Sequence, residues 1–133
     1  MTIQIKQVSL DKMRHISRMA AKEILPFKPS YDIYALHSQG VLVAVASLYR
    51  PSKHTVRFAG DFTLPEYRGL GYGLMLAEHR WELVQTDPQY SSARIVDCFA
   101  MRPDWFLSKG FVAVRQYRQT TYVRYTCAAQ GTR

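Results

Sequence analysis

Cysteine is scarce in this chain, with two residues among 133, and acidic residues are outnumbered by basic ones. Two thiols, Cys98 and Cys127, are too few for the multi-bridge framework that staples small secreted domains. Neither they nor the four histidines (His15, His37, His54 and His79) fall at the short spacings of a zinc site, so no metal is expected. No apolar run approaches the roughly 20 residues needed to span a bilayer. The opening stretch, MTIQIKQVSLDKMRH, turns charged at once and lacks the apolar segment of a secretory signal. The expected setting is a reducing cytoplasm, without a membrane partner.

What is present is a globular composition, 47% apolar and 13% aromatic. The length suits one domain, expected over residues 1–127, with residues 128–133 as a frayed tail. Eighteen Lys and Arg against ten Asp and Glu leave a formal charge of +8. A basic balance admits an anionic partner: a phosphate-bearing cofactor, an acidic peptide or nucleic acid. The basic residues run from Lys6 to Arg133 without a single cluster, so composition does not choose among these.

Along the chain, Ile3 to Val8 reads as a first strand, and Ser9 can cap the helix that follows. Leu10, Met13, Ile16, Ala20 and Ile24 form one apolar face, with Lys12, Arg14, Arg18 and Lys22 on the other, and Pro26 and Pro29 end the helix. Strands are expected at Tyr31 to His37 and Val41 to Tyr49, joined by the hairpin signal Ser38-Gln39-Gly40. A turn around Pro51-Ser52-Lys53 leads to a strand from Thr55 to Leu64, which Pro65 stops. Tyr72 to Gln85 carries Leu74, Ala77, Trp81 and Val84 at helical spacing. A strand at Ala93 to Ala100, a short helix at Asp104 to Ser108 closed by Gly110, and strands at Phe111 to Tyr117 and Thr120 to Cys127 complete the chain. The order β-α-β-β-β-α-β-α-β-β implies a mixed sheet with helices on its faces.

The stretch that carries chemistry is Phe62-Thr63-Leu64-Pro65-Glu66-Tyr67-Arg68-Gly69-Leu70-Gly71-Tyr72-Gly73-Leu74. It passes from a strand through a glycine-rich turn into a helix. Alternate glycines let the backbone bend tightly and bring several N–H groups toward one ligand. Free N–H groups in the first helical turn favour a phosphate, and Arg68 adds a fork-shaped cationic donor. The dinucleotide fingerprint fails because its third glycine position holds Leu74, and a phosphate-binding loop would need a Gly-Lys-Ser/Thr triplet that is absent.

The segment resembles the coenzyme-A-binding motif of the GCN5-related N-acetyltransferases, Gln/Arg-x-x-Gly-x-Gly/Ala, read here as Arg68-Gly69-Leu70-Gly71-Tyr72-Gly73. Trp105-Phe106-Leu107-Ser108-Lys109-Gly110-Phe111 is similar to a late aromatic segment of the same family. The resemblance implies an α/β (α+β) fold: a mixed, mostly antiparallel sheet of six to seven strands, flanked by helices, with the fourth and fifth strands splayed. It also implies acetyl-CoA as co-substrate. The pantetheine arm would lie along the backbone of Phe62, Thr63 and Leu64, with Phe106 nearby. The pyrophosphate would rest on the amides of Arg68, Gly69, Leu70, Gly71, Tyr72, Gly73 and Leu74. An amine of a small molecule, peptide or protein would attack the thioester directly in a ternary complex.

Two family features are replaced here. Many relatives place a tyrosine, as general acid, where this chain has Phe106, so the proton must come from Tyr67, Tyr72, Tyr117 or solvent. Many place a glutamate early in the fourth strand, near Arg57. The substitute candidate base is Asp61, on the same strand face as Arg57 and Thr63, with Asp97 as second candidate; the competing role for Asp61 is ion pairing to Arg57 or capping a bulge. Asp97 interrupts the apolar run Ile95-Val96-Asp97-Cys98-Phe99 and must be paired or functional, while Cys98 reads as a core residue. The alternative readings are acyl transfer to a nucleic-acid amine, and a catalytically impaired module that binds coenzyme A or nucleic acid. The acceptor pocket would draw on residues such as Phe27, Tyr31, Tyr34, Tyr117 and Tyr122, and the chain is expected as a monomer or homodimer.

Overall fold

A computed structural model describes residues 2–20 and 27–127. Lys22, Ile24 and Pro26 of the expected first helix, and the tail from Ala128 to Arg133, lie outside the described residues. The elements are β1 (Ile3–Val8), a 3-10 turn (Leu10–Met13), α1 (Arg14–Ala20), β2 (Asp32–Ser38), β3 (Val41–Ser52) and β4 (Thr55–Thr63). A second 3-10 turn (Pro65–Tyr67), α2 (Tyr72–Thr86), β5 (Ile95–Ala100), α3 (Asp104–Ser108), β6 (Val112–Gln116) and β7 (Thr121–Thr126) follow. This is the order read from the sequence.

The strands form one seven-stranded sheet in the order β1-β2-β3-β4-β5-β7-β6. The β4–β5 pair is parallel, whereas β1–β2, β2–β3, β5–β7 and β6–β7 are antiparallel. The parallel ladder covers Thr55 to Phe58 against Ile95 to Cys98, while β4 continues to Thr63, as in a splayed pair. Among the described residues, no helix is long and apolar enough to cross a membrane. Two compact units divide the chain: Met1–Tyr49 with Ala59–Trp81, and Arg50–Phe58 with Glu82–Arg133.

In the first unit, Gln39 and Gly40 both have positive φ (52° and 80°), the backbone that a two-residue hairpin turn requires. The core joins Met13, Ile16 and Ala20 of the first helical stretch to Phe27, Ile33, Ala35, Val45 and Phe62. Of the four described residues of the expected apolar helix face, Met13, Ile16 and Ala20 are buried in the core and Leu10 packs against it, each large buried one worth about 1.5–3 kcal/mol. Ser9 does occupy the N-cap position, but its side chain makes no capping bond. Its carbonyl instead accepts the N–H of Lys12 (3.1 Å), because the chain starts as a tight 3-10 turn.

Two expectations shift by a few residues. β3 runs through Pro51 to Ser52, and the reversal falls at Lys53–His54, where the Ser52 hydroxyl accepts the His54 N–H (3.3 Å). In α2 the buried line is Tyr72, Leu76, Arg80 and Val84, while Leu74 is 54% exposed. A four-residue step selects that line, and its third member is charged, which hid it from a search for apolar periodicity.

β2 holds a histidine with a titration consequence. The His37 Nδ1 atom is buried and without a hydrogen-bond partner. Burial first, and the charge of Lys6 second, push its pKa below the ordinary 6.5. The unfolded chain therefore takes up this proton at higher pH than the folded one, so the histidine's contribution is intact above 6.5 and is lost as pH falls below it. The urea midpoint is expected to drop between about pH 7.5 and about pH 5.5, and to drop less in His37→Asn. Equal drops in the two proteins would assign the acid sensitivity elsewhere.

In the second unit, β5 pairs with β7 from Ile95↔Thr126 to Ala100↔Thr121, and β6 pairs with β7 through a register shift between Ala113 and Arg115. Val56, Phe58, Val96, Cys98, Phe111 and Val123 are buried in this unit. Phe58 meets Phe106 edge-to-face, ring centroids 5.3 Å apart, and Phe106 meets Phe111 at 5.2 Å.

Candidate active site

The end of β4 and the turn after it are built by local backbone bonds. The Leu64 N–H donates to Val43 O (2.9 Å), tying the strand end to β3. Pro65 opens a one-turn 3-10 helix, in which Tyr67 N–H donates to Leu64 O (2.9 Å) and Arg68 N–H to Pro65 O (3.3 Å). Gly69 and Gly71 then take φ values of 79° and 87°, conformations that side chains with a Cβ adopt only under strain. The first helical bond of the turn runs from Met75 N–H to Gly71 O (3.0 Å). The amides of Tyr72, Gly73 and Leu74 lie ahead of it and have no acceptor within the helix.

Gly73 is the informative glycine. Its φ is not positive, and a Cβ built on it would meet nothing within 4 Å. Glycine there costs the helix about 1 kcal/mol relative to alanine, without any return inside the protein. An anion seated on the amides would account for it, since any side chain at this position would occupy that approach. Leu70 and Leu74, 59% and 54% exposed, flank the turn.

Arg68 folds back on the strand end. Its Nε donates to Thr63 O (2.9 Å), and its guanidinium carbon stands 5.2 Å from the Phe62 ring centroid. Phe62 itself is buried in the core. The backbone expected to meet a pantetheine arm is thus engaged at the Leu64 amide and the Thr63 carbonyl. Tyr72 is buried, and its hydroxyl donates to Ser38 Oγ (3.3 Å); the Tyr67 ring lies 6.5 Å from it.

Asp61 lies on β4 with its side chain 70% exposed, and its Oδ2 is 3.8 Å from Arg80 Nη2. Arg80 is buried at 3% exposure. Its Nε donates to Leu76 O (3.3 Å), and its Nη1 donates to Ser47 O (3.1 Å) and Ala59 O (3.4 Å). The Ser47 hydroxyl donates to the next carbonyl, Gly60 O (3.0 Å). The β4 backbone just before Asp61 is therefore held by side chains of β3 and α2.

No protein-family profile and no curated protein matches the sequence. Solved structures do. N-acetylglutamate synthase from Neisseria gonorrhoeae, complexed with coenzyme A and N-acetyl-glutamate, superposes with a TM-score of 0.70 at 14% identity. That match covers 95% of this chain, which spans only 35% of the longer synthase. The PaiA N-acetyltransferase from Thermoplasma acidophilum, in complex with coenzyme A, gives 0.69 at 10% identity over 96% of this chain and 100% of that one. The ribosomal-protein-S18-alanine N-acetyltransferase from Escherichia coli gives 0.69 at 13% identity over 99% of each. The chain has the GCN5-related N-acetyltransferase fold.

Within this acetyltransferase fold, the second unit accounts for the remaining named residues. Asp97 is 1% exposed, and both of its oxygens are occupied. Arg57 donates from Nε to Oδ1 (2.8 Å) and from Nη2 to Oδ2 (3.1 Å), and Tyr122 donates its hydroxyl to Oδ2 (2.5 Å). The hydrogen bonds to Asp97 push the Arg57 pKa above its ordinary value, against a smaller opposing effect of burial. Arg57 therefore pairs with Asp97, not with Asp61. Phe106 is half-buried among Phe58, Trp105 and Phe111. Tyr117 is 42% exposed, and its ring meets that of Phe99 at 5.9 Å. Cys98 is buried, and burial pushes the Cys127 thiol up from its ordinary value.

Arg80 was not singled out from the sequence, and Tyr122 was named there only for an acceptor pocket. Arg80 was legible only as a charge in a helix; its signal was the four-residue step from Tyr72 and Leu76. Tyr122 carries no local mark of its bond to Asp97, 25 residues away in the chain.

Proposed function

We propose that this chain is an acetyl-CoA-dependent N-acetyltransferase whose glycine turn, Arg68 to Gly73, holds the coenzyme's pyrophosphate. The observation that carries the reading is Gly73: a helical glycine with open space over it, beside amides that lack helical acceptors. The fold, and coenzyme A in two of the similar structures, support it. Bound acetyl-CoA would supply the activated acyl carbon, and an attacking amine would form the C–N bond as the C–S bond breaks. Asp61 is the proposed base for the ammonium proton: it is exposed, and the buried Arg80 anchors it. Phe106 has no proton to give, and the Tyr72 hydroxyl is bonded to Ser38, so Tyr67 or solvent returns a proton to the leaving thiolate.

The test is thermal unfolding with and without acetyl-CoA in wild type and Gly73→Leu. Ligand at about 100 times its dissociation constant adds roughly 2.7 kcal/mol to the wild type. Gly73→Leu is expected to fold with equal or slightly higher stability, since leucine is the better helix former by up to about 1 kcal/mol, and to lose the ligand shift. No shift in wild type at millimolar ligand, or an intact shift in the variant, would remove the coenzyme from this turn.

A further inference from the structure

The charge of +8 is not evenly divided by the fold. Arg50–Phe58 and Glu82–Arg133 hold ten Lys and Arg against four Asp and Glu, so this unit carries +6, whereas the other has eight against six, or +2. From Trp105 to Arg133 there is no acidic residue at all. Basic residues that looked dispersed along the sequence are therefore gathered by the second unit.

Strand register gathers them further. Arg57 lies opposite Asp97, Asp97 opposite Arg124, and Phe99 opposite Tyr122, which in turn faces Arg115. Residues opposite one another on neighbouring strands share a sheet face. The carboxylate that the register sets among these residues, Asp97, is sequestered by Arg57 and Tyr122 and presents no charge to solvent. What faces solvent is aromatic and cationic. Phe99 is 45% exposed, with its ring 4.7 Å from that of Tyr122 and 5.9 Å from that of Tyr117. Each ring carries a guanidinium: Arg57 over Phe99 at 5.0 Å, Arg115 over Tyr117 at 5.0 Å and Arg124 over Tyr122 at 5.4 Å.

We propose that this sheet face binds single-stranded nucleic acid. Cations around a sequestered carboxylate attract a phosphate backbone, and exposed rings offer stacking partners to unpaired bases of any sequence. An acidic polypeptide would use the same cations but would gain nothing comparable from the rings, and a duplex keeps its bases stacked on each other. This inference is independent of the coenzyme site, because none of these face residues belongs to the glycine turn.

The full chain is titrated by fluorescence anisotropy against a labelled oligo-dT of about 15 nucleotides and a duplex of equal charge, across a salt series. The single strand is expected to bind at least about tenfold more tightly than the duplex, and Phe99→Ala and Tyr117→Ala each to weaken it by about tenfold. Arg115→Gln/Arg124→Gln is expected to flatten the log–log salt slope by about 1.4. The thermal shift with acetyl-CoA should be the same in these variants as in wild type, which separates failure of this surface from failure of the coenzyme site. Tyr117→Ala alone carries the stacking test if Phe99→Ala does not fold. No binding at low salt, duplex binding equal to single strand, indifference to the ring substitutions, or displacement by polyglutamate at equal charge would each overturn the proposal.

Discussion

Asp61→Asn is expected to lower kcat by about 10²- to 10⁴-fold, the span of a positioned general base, with the acetyl-CoA thermal shift unchanged. The rate is read as thiol release with an amine identified by screening. The deficit should narrow as pH rises toward the pKa of that amine, because an acceptor already deprotonated needs no base. Asp61 is mostly exposed and makes one long ion pair, so its loss should leave the urea midpoint near the wild-type value. Asp97→Asn should behave in the opposite way. Its carboxylate is buried and accepts three hydrogen bonds, so the substitution is expected to cost about 1–3 kcal/mol of stability. An Asp61→Asn enzyme with wild-type turnover would sink the proposed base.

Arg80→Met is expected to destabilise the protein by about 2–4 kcal/mol, read from urea midpoints, because the carbonyls of Ser47 and Ala59 lose their buried donor. Methionine fills much of the same volume without supplying an N–H. Arg80→Lys should recover only part of the loss, since a single ammonium cannot reproduce the planar fork that serves carbonyls of β3, β4 and α2 together. A buried cation is also costly to desolvate, and that opposing effect sets the sign of the outcome. A neutral or stabilising Arg80→Met would mean that desolvation outweighs the hydrogen bonds and that the end of β4 keeps its path without them.

The parts of the fold that could be read in advance are those whose cause is local. Ser38-Gln39-Gly40 turned the chain where a hairpin demands positive φ, and Pro65 stopped β4. The glycine turn sat between a strand and a helix because its residues dictate both boundaries. Strand parity alone placed Asp61 on the face of Arg57 and Thr63. What escaped depended on register. Arg57 was a plausible partner for Asp61 by parity, yet it meets Asp97, 40 residues on, because β4 and β5 align Arg57 with Asp97. Leu74 was read at helical spacing with Ala77, Trp81 and Val84, but the helix turns Leu76 inward and leaves Leu74 outside. The acid-free stretch from Trp105 to Arg133 was legible, but its meeting with Arg57 was not, since that follows from how strands far apart in the chain are joined.

The irregular register of β6 has a consequence for how the protein behaves at high concentration. β6 ends the strand order, and Val112 and Val114 stand 64% and 52% exposed on it. A straight strand of that kind invites a neighbour to extend the sheet, the first step toward fibrils. The register shift between Ala113 and Arg115 breaks the regular ladder there, and Arg115 places a cation on the strand. Two copies approaching rim to rim would meet mismatched donors and like charges, so the open end of the sheet is guarded against its own kind.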